Sequence, residues 1–274
     1  MSDAEIEEDV EAMMLHALAI PQDAAFVDLS SFIHVTELPE EGWSKLSSLK
    51  PTLNEIHLPP SLHTIKERAF EHFRSLVKVH LPEKVKVIGA WDFHFCEAMT
   101  GELDLKSVEL IGNGAFQYCS GLTGKLLLPP SLKRTGEWSF GTCYGLSDID
   151  LQYIEIIDVG SFEFCNGLKE LTFPPAVKTI GAGAFYHCKE MTNLTVSFSL
   201  EKIEEHAFSY CESLDLDNIF LPAGLIVHQL AFSEDDKTSS PAIKKFIEEH
   251  YERHCIWKIR MNVLMCLRIV DEDY

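Results

Sequence analysis

Positive charge is scarce in this chain: across 274 residues, 23 Lys and Arg stand against 43 Asp and Glu, a formal net charge of −20. Binding a phosphate backbone needs a basic stripe, so nucleic acid is not expected as a partner. Long apolar runs are missing as well. No stretch of about 18 residues is both apolar and free of charge, so no transmembrane helix is indicated. The spacings CxxC and CxxH, Gly-rich phosphate loops, nucleophile elbows and the His-Glu-x-x-His pattern are all absent. Without a motif for phosphate handling, acyl transfer or zinc chemistry, a non-enzymatic role with no metal and no cofactor is expected. The opening MSDAEIEEDVEAMM is acidic where a secretory leader would be basic and then apolar, which favours the cytoplasm, with the nucleus left open.

What is abundant is repetition. A motif complete at Ile180–Cys188, IGAGAFYHC, recurs along the chain, and its aromatic column reads Trp43, Phe70, Phe93, Phe116, Phe140, Phe162, Phe185, Phe208 and Phe232. The first step is 27 residues and the next seven are 23, 23, 24, 22, 23, 23 and 24. A period of that length marks a solenoid, in which each coil buries its apolar side against its neighbours. Five residues before the aromatic stands an aliphatic, from Leu38 and Ile65 to Ile203 and Val227, with Thr135 the exception. Three residues after it come Cys96, Cys119, Cys143, Cys165, Cys188 and Cys211, replaced by Leu46, Phe73 and Asp235 in the outer copies. Six residues after it come Leu or Met, from Leu49 to Leu214. Side chains at i, i+3 and i+6 share one face of a short helical or 3₁₀ turn, so such a turn is expected here. Six of the eight cysteines therefore follow the coil rather than each other, and read as small buried hydrophobes kept reduced. Adjacent coils would bring these thiols to about 4.8 Å, but with their side chains parallel rather than facing.

After each turn comes a short alternating segment such as Val79-His80-Leu81 or Leu171-Thr172-Phe173, one strand per coil with one face buried. Proline often ends it, as in LPPS at Leu58–Ser61 and FPPA at Phe173–Ala176, because proline lacks a ladder donor. These residues resemble the BspA-like, or type-5, leucine-rich repeat, roughly LxxIxLPxxLxxIGxxAFxxCxxL, over about residues 32–232. The resemblance implies a β-rich α/β solenoid, a right-handed coil stack with parallel sheet and terminal capping helices. It also implies work done by presenting a surface rather than by catalysis.

Between the buried residues of each strand lies a variable row: His57, His80, Asp104, Leu127, Asp150, Thr172, Thr195 and Phe220. Glu55, Lys78, Glu102, Lys125, Asp148, Glu170, Asn193 and Asn218 precede them. Varied chemistry over a constant frame is what a recognition surface needs, so this row, with Asp148, is the candidate protein-binding face. Seven steps of about 4.8 Å span roughly 34 Å, enough for a standard interface. The acids Asp104, Asp148 and Asp150 near its middle suit a partner with a basic or mixed-charge patch. His57 and His80 fall on adjacent strands, but two histidines without a third ligand make no metal site. The bacterial members of the resembled family suggest a rival role by analogy, an exported surface adhesin, for which the sequon Asn193-Leu194-Thr195 would matter.

Three segments are expected. Residues 1–25 hold an acidic amphipathic helix with Ile6, Val10, Met13, Ala17 and Ile20 on one face. Residues 26–236 form the solenoid of about nine coils, entering through a degenerate one at Phe32-Ile33-His34-Val35. Residues 237–274 form a helical cap, whose stripe Ile256, Ile259, Val263, Leu267 and Val270 could alternatively bind calmodulin or a membrane surface through residues 255–270.

Overall fold

The computed structural model describes residues 3–21, 23–37, 49–101, 103–233 and 245–250. Trp43, Leu38, Leu46, Glu102, Asp235 and the stripe from Ile256 to Val270 lie outside the described residues.

Most turns of the chain supply two parallel strands, not the single one that alternation predicts. The first kind comprises β1 (Phe26–Asp28), β2 (Glu55–His57), β4 (Lys78–His80), β7 (Thr123–Leu127), β8 (Gly145–Asp150), β10 (Glu170–Phe173) and β12 (Asn193–Val196). The second kind is two residues long: β3 (Thr64–Ile65), β5 (Val87–Ile88), β6 (Leu110–Ile111), β9 (Ile156–Ile157), β11 (Thr179–Ile180), β13 (Lys202–Ile203) and β14 (Ile226–Val227). These short strands are the aliphatic column itself, one residue out and the next buried. Two residues cannot display a period of two, so the pattern hides them. The solenoid is thus a parallel-strand coil stack with a sheet on each of two sides.

The first sheet is not continuous as expected. It is divided into β1-β2-β4, β7-β8 and β10-β12. The coil carrying Asp104 adds no strand to this sheet, and at the far end a 3₁₀ turn at Leu216–Asn218, capped by the Asp215 carboxylate, replaces one. The second sheet runs β3-β5-β6 and then β9-β11-β13-β14, with a single bridge from Arg134 to Ile156 between them. The first coil also differs from expectation: its strand is Phe26–Asp28, paired with Glu55–His57, and Phe32–Val35 follows it as turns.

Inside the coil runs a ladder of rings. Phe70, Phe93, Phe116, Phe140, Phe162, Phe185, Phe208 and Phe232 stack with centroids 5.0–5.6 Å apart and planes within 13°. Beside it the six cysteines are free and buried. Each thiol donates to the carbonyl of the phenylalanine one coil back, from Cys96 to Phe70 at 3.2 Å through to Cys211 on Phe185 at 3.2 Å. Burial pushes these thiols up, Cys165 and Cys211 to about 12. The turn bearing Phe and Cys is not the helical one expected. Residues two before and two after the aromatic take a left-handed backbone, as at Trp138 (φ 52), Phe164 (φ 58) and Tyr210 (φ 57). A left-handed residue every four positions breaks a helix into successive turns. Amides of the turn instead donate forward to the next coil, the aromatic's as Phe70 does to Asp92 O at 2.8 Å and the left-handed residue's as His72 does to His94 O at 2.7 Å.

Thr135, the exception in the aliphatic column, is buried with its hydroxyl satisfied: Ser161 Oγ lies at 2.7 Å and the Asp158 amide donates to it at 2.9 Å. Asp158 in turn holds Arg134 and accepts from the Gly136 amide at 3.0 Å. The helix α1 (Asp3–Ala19) lays the buried Met13 on the first coil, with Val10 and Ile20 partly covered. At the other end, residues 245–250 are helical, with Ile247 buried and the Phe246 ring 5.4 Å from Phe232.

Candidate protein-binding face

The row foreseen on the first sheet is held in place by strand register. Asp28 pairs with His57 and His57 with His80; Leu127 pairs with Asp150, and Thr172 with Thr195. Asp104 and Phe220 belong to coils without a strand there, yet both side chains face out. Phe220 stands between the buried Ile219 and Leu221 and is 56% exposed; Leu127 is 50% exposed. Asp148 and Asp150 are half-buried. The row is therefore interrupted backbone carrying a sequence of outward side chains, rather than one flat ribbon.

The acids of the row have local duties that sequence reasoning missed. Where the strand ends in proline the pattern is His-Leu-Pro, Leu-Leu-Pro, Thr-Phe-Pro or Phe-Leu-Pro; of the coils without proline, one has Thr195-Val196-Ser197 and three have Asp28-Leu29-Ser30, Asp104-Leu105-Lys106 and Asp150-Leu151-Gln152. In those three coils the aspartate accepts the amide two residues on, at 2.9 Å from Ser30, 3.4 Å from Lys106 and 3.1 Å from Gln152. That Asx turn ends the strand as proline does elsewhere. The exchange of Pro for Asp across the repeats is the signal that could have revealed it. Two of the acids are also paired: Lys106 Nζ lies 3.2 Å from Asp104 and Lys125 Nζ 2.9 Å from Asp148, which raises the Lys125 pKa. Among the described residues no ion pair reaches Asp150.

The breaks in the sheet make concavities. Between β8 and β10 lies an open depression of about 720 Å³, lined by Lys125, Asp148, Asp150, Lys169, Glu170 and Thr172 among others. Across the other break a second, of about 500 Å³, is walled by Leu103, Asp104, Leu127, Leu128 and Pro129 and shares Asp150. The structure thus brings Asp104, Leu127, Asp148, Asp150 and Thr172 around one trough. His57 and His80 stand apart from it on β2 and β4, and Phe220 lies at the far end with Phe198, ring centroids 6.0 Å apart. Glu55, placed only in the preceding row by sequence, joins His57 and His80. No helix of the described residues is long and apolar enough to cross a membrane.

The coil stack, with its buried Phe and Cys columns and outward row, is that of a leucine-rich-repeat solenoid. The chain belongs to the BspA-type leucine-rich repeat family, whose six-copy region matches residues 47–153, 95–215 and 151–250. Among solved structures, a leucine-rich repeat protein from Bacteroides ovatus is 23% identical with a TM-score of 0.61, over 74% of this chain and 51% of that one. This chain therefore spans about half the length of that protein. A leucine-rich cell surface protein from Faecalibacterium prausnitzii is 18% identical with a TM-score of 0.46, covering 79% of this chain and 80% of that one. The pneumococcal vaccine antigen PcpA is 17% identical with the same score of 0.46, covering 82% and 76%. These likenesses are ones of fold. No curated protein matches the chain.

Proposed function

We propose that the chain is a non-enzymatic interaction scaffold that binds a protein through the trough around Asp104, Leu127 and Asp150. The observation that carries this reading is the contrast between columns: the Phe, Cys and aliphatic slots hold nearly one residue type each and are buried, while the row above them varies. A rigid frame carrying varied side chains can specify a partner. The trough mixes lysines with acids, so a partner of mixed or basic charge fits it. Membership in a family of repeat scaffolds supports a role in binding rather than catalysis. Six buried thiols are stable as such in a reducing compartment, which supports a cytoplasmic site of action over a role as a surface adhesin.

The test is affinity purification with the wild type, with Asp104→Lys/Asp150→Lys, and with Asp104→Asn/Asp150→Asn. Asparagine keeps the Asx turn and removes the charge, so it separates recognition from strand ending. Loss of the captured protein with both pairs supports the reading. Retention with both, together with loss on deleting residues 241–274, would move recognition to the C-terminal segment.

A further inference from the structure

We propose that Glu55, His57 and His80 form a binding site for a divalent transition-metal ion of the zinc class. Parallel pairing of β2 with β4 sets His57 opposite His80, and their rings lie 4.0 Å apart between centroids. Glu55, two residues before His57, points to the same side of the sheet. Its Oε1 is 2.6 Å from His80 Nε2 and 3.4 Å from His57 Nε2. One ligand atom from each residue lies within 4.8 Å of the other two. Zinc holds nitrogen and oxygen at about 2.0–2.2 Å, so tetrahedral neighbours stand about 3.4 Å from each other. The three atoms therefore need only small side-chain adjustments to share one ion.

The surroundings favour a cation. Asp28 flanks His57 from the neighbouring strand, while Lys78 opposite Glu55 is the one opposing charge in the strand register. The three side chains are 35–40% exposed, which leaves an entry path and room for water to complete the coordination. Two imidazoles and one carboxylate suit zinc, cobalt, nickel or copper, whereas magnesium and calcium demand oxygen ligands. The bond from His80 to Glu55 uses Nε2, and a metal would occupy the same atom; any proton there moves to Nδ1 or to solvent on binding.

A second cluster, Glu71, His72 and His94, supplies the contrast. There Arg68 Nη1 sits 2.9 Å from Glu71 Oε1, the same oxygen that lies 3.3 Å from His94 Nδ1. A guanidinium already neutralises that carboxylate, so the cluster is a built-in control. The inference stands whether or not the neighbouring trough binds a protein.

Isothermal titration of the full-length, reduced chain with zinc chloride tests it, using wild type, His57→Ala, His80→Ala and His94→Ala. Removing even an outer partner of a metal site costs about 10–100-fold, so loss of His57 or His80 should weaken zinc by more than about tenfold. His94→Ala should leave it unchanged. Zinc affinity unaltered by both row substitutions, equal loss in His94→Ala, or no wild-type binding at millimolar zinc would each overturn the proposal. Should the alanine variants fail to fold, Ni²⁺ titration of the wild type followed by NMR decides. Paramagnetic broadening that begins at the His57 and His80 rings supports the site; broadening that begins at other histidines refutes it.

Discussion

Phe162 and Cys165 show what a single residue contributes when it repeats. The Phe162 ring stacks 5.6 Å from Phe140 and 5.5 Å from Phe185, and the Cys165 thiol donates to Phe140 O at 3.2 Å. One residue type in each slot thereby joins consecutive coils twice, by ring contact and by a thiol bond. The cysteines are small enough to lie beside the ladder, and burial keeps the thiolate, the reactive form, out of reach. Native labelling by a thiol reagent should therefore leave the six column cysteines unmodified in mass spectra, and unfolding should expose all six; rapid native labelling of most of them would contradict their burial. Gly160 is a different case. It has φ 60, and a Cβ there would run into the Trp138 indole, as one at Gly114 would into Trp91. Gly160→Ala should lower stability by about 1–3 kcal/mol in chemical denaturation, from backbone strain and overpacking together. An unchanged midpoint would show that the indole moves freely aside. The Phe and Cys columns are legible in the sequence because each recurs at a fixed step. The tryptophan that roofs a glycine one coil on is not, since among the described residues it occurs only at Trp91–Gly114 and Trp138–Gly160.

At the scale of elements, legibility follows length. Strands such as Glu170–Phe173 alternate over enough residues to be read, while the two-residue strands of the second sheet carry no period. The turn between them is misread as helical because i, i+3 and i+6 spacing also suits successive turns separated by left-handed residues; φ, not side-chain identity, makes the difference. One element contains a titratable substitution. The slot before the aromatic holds Ala or Ser in the other coils from Ala69 to Ala231, but Asp92 in one. There it is buried, accepting the Gly89 amide at 2.5 Å and the Ala69 amide at 3.2 Å. Burial outweighs those two donors and pushes the carboxyl from 3.8 up to about 7. A raised pKa means the folded state holds its proton where the unfolded chain has lost it. The stability this group contributes is complete below about pH 4 and is lost as the pH rises to 7, on the order of 4 kcal/mol in all. The difference in unfolding free energy between wild type and Asp92→Asn, followed from pH 4 to 8, should fall across that window. A flat difference would place the carboxyl's titration elsewhere.

At the scale of the whole molecule the account divides labour between a constant frame and a varied face. The face was legible as a row of positions, since the buried neighbours fix which side each residue takes. Its shape was not, because the trough arises where strands fail to pair, at Asp104 and between β8 and β10. Nor was the structural duty of its acids, which ends strands by side-chain bonds. Chemical denaturation of two variants compares frame with face most directly. Phe162→Ala removes a fully buried ring and should cost about 3–5 kcal/mol. Asp104→Asn/Asp150→Asn alters two residues of the face while keeping their turns, and should stay within about 0.5 kcal/mol per site. A face variant that loses as much as the core variant would contradict the division, for the row would then be part of the frame and not free to vary with a partner.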